Sequence, residues 1–138
     1  MIVDLGVLRT LPAIALVAVC SAGVSHASPS DGDETGQCSF VLSAPEVVEW
    51  SGANSVMVTM HPGPCTMEAV PNSMVVCLSI AGDGSPAQCA SMNGPSAVST
   101  YYSYRPGATY VVKGQGCAST FKPPYTLCQN FGPSQTTM

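Results

Sequence analysis

Six cysteines are spread between Cys38 and Cys128, through a stretch otherwise built of short β-branched and aromatic runs. A seventh, Cys20, closes an apolar stretch near the start of the chain. An even number of cysteines in a small domain points to pairing in an oxidising compartment, where bridges supplement a modest core. The fold must then be one whose strands bring these six side chains together in pairs.

The beginning of the chain reads as an export segment. Arg9 is the one basic residue there, Leu11–Val19 is apolar but too short to span a bilayer, and Ser25-His26-Ala27 ends on a small residue. Residues 1–27 are therefore expected to be a signal peptide, and 28–37 a flexible acidic N-terminal segment. Residues 38–138 then form the folded domain, with no membrane span left after cleavage. Val17-Ala18-Val19-Cys20 resembles a lipobox, but the bulky Val19 stands where a small residue belongs, so lipid anchoring at Cys20 is not expected. The reading is a secreted or envelope-associated protein, expected to be a monomer.

Charge narrows the partners. Charged residues are 9 % of the chain, the net charge is −4, and no basic cluster occurs. Nucleic acid and anionic membrane surfaces are accordingly not expected as partners.

Beyond residue 37, runs rich in Val, Thr, Tyr and Met alternate with Gly, Pro, Ser and Asn. They are Cys38–Ala44, Val47–Trp50, Ser55–Met60, Met74–Ile80, Ala87–Ser91, Ala97–Tyr104, Thr109–Gly114 and Tyr125–Asn130. None shows helical periodicity over ten residues, so an all-β, antiparallel sandwich or barrel is predicted. Alternation puts Val56, Val58 and Met60 on one face of their run, and Met74, Val76, Leu78 and Ile80 on the core face of theirs.

Tyr104-Arg105-Pro106-Gly107-Ala108-Thr109-Tyr110 resembles the L-x-P-G-T-x-Y corner of fibronectin type III domains, with Tyr104 in place of the Leu. Asn54-Ser55-Val56-Met57-Val58-Thr59-Met60-His61-Pro62 resembles the second strand of that family, with Met60 where a core Trp is expected. The resemblance implies a seven-stranded immunoglobulin-like sandwich over residues 38–138. It also implies a buried Tyr110 whose hydroxyl bonds back to the chain a few residues upstream. The composition and the YRPGATY…GCA segment are also similar to small exported cysteine-containing proteins of mycobacteria, a likeness that implies a habitat rather than an activity.

Two disulfides follow from turn symmetry. Cys77 and Cys89 lie evenly about Gly82–Gly84, and Cys117 and Cys128 about Lys122–Pro123, so antiparallel hairpins would set each pair opposite. Cys38–Cys65 remains as the third pair if the sandwich topology holds, with Cys117 and Cys128 as alternatives for Cys38 at the same pole.

Catalytic groups are sparse. His61 is the one histidine beyond residue 37, the carboxylates there are Glu46, Glu49, Glu68 and Asp83, and no G-x-S-x-G elbow occurs. No enzyme, and no cofactor, is expected. Met57, Met60, His61, Cys65 and Met67 fall within eleven residues, and thioether with imidazole suits Cu(I). Met57 and Met60 point to opposite faces of a strand, however, so a metal role for Met57, Met60, His61 and Met67 is the lesser alternative. Tyr101 faces away from Tyr102 and Tyr104 and, with Trp50 or Tyr125, is the candidate for an aromatic contact surface. The expectation is a non-enzymatic interaction module that contacts a protein or a cell-envelope component. The alternative is an extracytoplasmic copper-binding protein.

Overall fold

A computed structural model describes residues 37–66 and 68–138. The expected signal peptide, Cys20, residues 28–36 of the acidic segment, and Met67 lie outside the described residues. All regular structure among the described residues is strand: β1 (Cys38–Leu42), β2 (Glu46–Trp50), β3 (Ala53–Cys65), β4 (Ala69–Ile80), β5 (Gln88–Asn93), β6 (Val98–Ser103), β7 (Thr109–Thr120) and β8 (Thr126–Thr137). Every pairing is antiparallel. One sheet contains β1, β2, β3 and β6, and the other runs β5-β4-β7-β8.

Eight strands stand where seven were expected, with both β1 and β2 paired to β3. Met60 pairs with Leu42 and with Val98, while Val56 pairs with Val47 and with Tyr102. β1 and β2 therefore lie end to end along one edge of β3, with β6 on the other. Between them Ser43 still exchanges hydrogen bonds with Thr59, through its amide at 2.8 Å and its hydroxyl at 2.9 Å. The ladder is then interrupted at Ala44-Pro45, where Pro45 lacks an amide to donate.

β3 extends past the Met60 expected as its end, through His61-Pro62-Gly63-Pro64 to Cys65. The carbonyl of Asn54 accepts from Tyr104 on the β6 side and that of Thr59 accepts from Ser43 on the β1 side, so even-numbered positions face β6. β6 ends opposite Met60, so Pro62 forfeits no ladder bond. Pro64 falls in the bulge where two β3 residues oppose one of β1. These are the two settings in which a strand tolerates proline.

The core is the meeting of two alternating faces. Val56, Val58 and Met60 are fully buried from the first sheet, and Val76 and Leu78 from the second, with Met74 at 2 % exposure. Phe40, Val98 and Tyr102 extend the first face, and Tyr110, Val112 and Ala118 the second. Residues with no side chain make two of the closest fits. A Cβ on Gly116 would lie 2.3 Å from the Phe40 ring, and one on Gly114 would lie 2.5 Å from Cε of Met60. At this position in the core a flexible Met60 lies over a glycine of the opposite sheet.

Tyr110 is the largest fully buried side chain. Its hydroxyl donates to the Ser103 carbonyl at 2.9 Å and accepts from the Arg105 amide at 2.8 Å. The first group ends β6 and the second lies in the crossover to β7, so one phenol pins the chain where it passes between sheets. The ring also meets Tyr102 edge-on, with centroids 6.4 Å apart.

Three disulfides join Cys38–Cys65, Cys77–Cys89 and Cys117–Cys128, with Cα separations of 4.0, 4.1 and 4.0 Å. Each pair is directly opposite in its ladder, Cys38 to Cys65 across β1 and β3, Cys77 to Cys89 across β4 and β5, and Cys117 to Cys128 across β7 and β8. All three bridges therefore lie within a sheet, and none crosses between the sheets. Three bridges in a domain of this size indicate an oxidising, extracytoplasmic environment.

Two substitutions test this core. Gly116→Val forces the Phe40 ring to move and is expected to cost about 1–3 kcal/mol in urea unfolding. Tyr110→Phe keeps the ring but strands the Ser103 carbonyl and the Arg105 amide, and is also expected to cost about 1–3 kcal/mol. An unchanged unfolding midpoint for either variant contradicts the packing described.

Candidate interaction surface

The outward face of the first sheet carries Glu46, Val48 and Trp50 from β2, Ala53, Ser55 and Met57 from β3, and Tyr101 and Ser103 from β6, in register. Trp50 and Tyr101 stack across β3, with ring centroids 4.4 Å apart and planes inclined by 20°. The small side chains of Ala53 and Ser55 leave room for the rings to meet above the central strand. Trp50 remains 53 % exposed, so one face of its ring is open to a partner.

A tight turn fixes this position. Ser51 (φ 52°) and Gly52 (φ 78°) are both left-handed, as a two-residue type I′ hairpin requires, and the turn sets Trp50 opposite Ala53. The Ser-Gly dipeptide between two strand-like runs was the available sequence signal for it.

Tyr125 does not join this surface. It lies between β7 and β8, where its carbonyl accepts from the Thr120 amide, and Thr120 pairs with Ala69 at the start of β4. That is the end of the fold reached from Cys65, whereas Trp50 adjoins Ala53 at the far end of β3, about 40 Å away along a 13-residue strand. Tyr125 and Phe121 are exposed at that opposite pole.

The metal alternative is divided by the same alternation. Met60 is fully buried against the second sheet, whereas Met57 is half-buried on the outward face. His61 is exposed, with Nδ1 3.2 Å from the Pro62 carbonyl, and Cys65 is consumed in a disulfide. Met67 lies outside the described residues. Among the described residues no three His, Cys, Asp or Glu side chains are grouped as metal ligands.

At the Cys65 pole a concavity of about 720 Å³ opens between the β1 and β8 edges. Cys38, Cys65, Thr66, Leu127, Cys128 and Gln129 line it, and the Gln129 side-chain oxygen accepts from the Phe40 amide at 3.2 Å across the gap. With its cysteines bridged, the lining offers amides, hydroxyls and sulfur but no group that titrates near neutral pH.

Near the aromatic stack, Arg105 in the β6–β7 crossover donates to Asp83 in the β4–β5 turn at 2.9 Å. Hydrogen bonds from Ser85 and then Arg105, helped by the guanidinium charge, hold the Asp83 carboxyl below its ordinary value. Comparison with known proteins finds no matching family model, no matching curated protein and no matching solved structure.

The lowered Asp83 value gives this pair a defined pH window. Its stabilising effect is present above the unfolded carboxyl value of 3.8 and is lost as pH falls through the lower folded value. An NMR titration of Asp83 should show a midpoint below 3.8, moving up toward it in Arg105→Ala. A midpoint above 3.8 in the unsubstituted protein contradicts the pairing.

Proposed function

We propose that this chain is a secreted, non-enzymatic module of the fibronectin type III-like kind that acts by surface contact with a protein or cell-envelope component. Taking β1 and β2 as one interrupted strand reduces eight strands to seven, in sheets of three and four. That order and the Tyr110 corner support the family reading.

The observation that carries the contact reading is the outward stack of Trp50 on Tyr101. A stacked pair is immobilised before any partner arrives, so little side-chain entropy remains to be lost on binding. Trp and Tyr are also the side chains most enriched where binding energy concentrates. The few titratable groups on the domain and their scattered placement favour contact over catalysis.

The test uses the purified oxidised protein against envelope fractions. Trp50→Ala with Tyr101→Ala should weaken binding about 30-fold or more, the ~2 kcal/mol of a hot spot. Phe121→Ser with Tyr125→Ser, at the other pole, should leave it unchanged. The reverse pattern moves the contact surface to the Cys65 pole and overturns this assignment.

A further inference from the structure

Ion pairing among the described residues leaves a lopsided remainder. Arg105 is held by Asp83, and Lys122 Nζ lies 3.6 Å from Glu68. The carboxylates left without a cation among these residues are Glu46 and Glu49, and both are exposed on β2, the strand that ends in Trp50. Lys113, the remaining cation, is on β7 in the other sheet, where alternation turns it outward.

β2 is also an open edge. Among the described residues it pairs with β3 alone. Odd-numbered β3 residues bond toward this edge, so Glu46, Val48 and Trp50 supply the ladder, and the amides and carbonyls of Val47 and Glu49 face away from the sheet. These five residues thus present the unused backbone groups of Val47 and Glu49, a Glu46 carboxylate on the same face as the Trp50 ring, and a Glu49 carboxylate on the opposite face.

We propose that the β2 edge of this domain receives an extended, Lys- or Arg-bearing segment of a partner polypeptide, which adds as a further strand beside Val47 and Glu49. The inference rests on the contact reading above and names the partner's chemistry. Backbone bonds to the open edge supply the affinity of strand addition. A cationic side chain of the added strand lies between the Glu46 carboxylate and the open face of Trp50, an ion pair combined with a cation–π contact. A second copy of this chain is a poor occupant. Two β2 edges brought together would gather four carboxylates and no cation along one seam, and charges on an open edge disfavour such self-pairing.

The chain contains a single tryptophan, so its emission reports this site alone. The oxidised protein is titrated at low salt with the ten-residue peptide Thr-Lys-Lys-Thr-Thr-Lys-Lys-Thr-Thr-Lys, which carries Lys on both faces of an added strand, and with its Thr and Glu counterpart. The Lys peptide should give a saturable change in Trp50 emission that weakens as salt is raised, and the Glu peptide should give none. Glu46→Gln with Glu49→Gln should weaken the Lys peptide about 3- to 10-fold, as two exposed ion pairs would. Val47→Pro removes a donor from the open edge while sparing the β3 ladder, and should weaken it about 5-fold. If that variant does not fold, the Gln pair still decides the matter. No saturable response, an equal response to both peptides, or full affinity in the Gln pair overturns the inference. Envelope binding that still depends on Trp50 and Tyr101 would then leave the contact reading standing without its charge assignment.

Discussion

The two sheets are held together by side-chain packing, because every covalent cross-link lies within one sheet or the other. Cys38–Cys65 ties β1 to β3, while Cys77–Cys89 and Cys117–Cys128 tie neighbours in the second sheet. What resists separation of the layers is the burial of Val56, Val58 and Met60 against Met74, Val76, Leu78, Tyr110 and Val112. Close approach depends on Gly114 and Gly116, which leave room on β7 for Met60 and Phe40. The bridges act on a different quantity. Each closes a loop in the unfolded chain and, in the chain-entropy model, contributes roughly 3 kcal/mol by narrowing that ensemble.

This division of labour shapes what the protein can present to a partner. The core takes the inward faces and the crossover at Tyr110 takes one pole, leaving the outward face of the first sheet free for Trp50 and Tyr101. Rings fixed over a β-sheet held in register by a disulfide and a type I′ turn form a rigid surface. A rigid surface suits recognition, in which preorganisation reduces the cost of ordering.

Much of this was legible in the sequence because the period of a strand is two. Val56, Val58 and Met60 declared their face by alternation, Cys77 and Cys89 declared their register by symmetry about Gly82–Gly84, and Pro106-Gly107 with Tyr110 marked the corner. The features that escaped depend on which strand lies beside which. Pro62 looks like a strand end until β6 is seen to stop opposite Met60, and the separate runs on either side of Pro45 are found end to end along one edge of β3 only once both are paired with it. Trp50 and Tyr101 are separated by the width of β3, so only the register of both its edges brings them together. Tyr125, equally aromatic in the sequence, is carried to the opposite pole by the length of β3.

Native-state hydrogen exchange of the oxidised protein tests most directly whether packing between the sheets, rather than the bridges, sets the stability of the fold. The account predicts that amides within Val56–Met60, Met74–Leu78 and Tyr110–Val112 exchange last and together, through global unfolding of both sheets as one unit. The contradicting result is that amides of β5 and β8 beside Cys89 and Cys128 stay protected after those of β3 have exchanged, which would make the bridged hairpins the most stable part of the molecule.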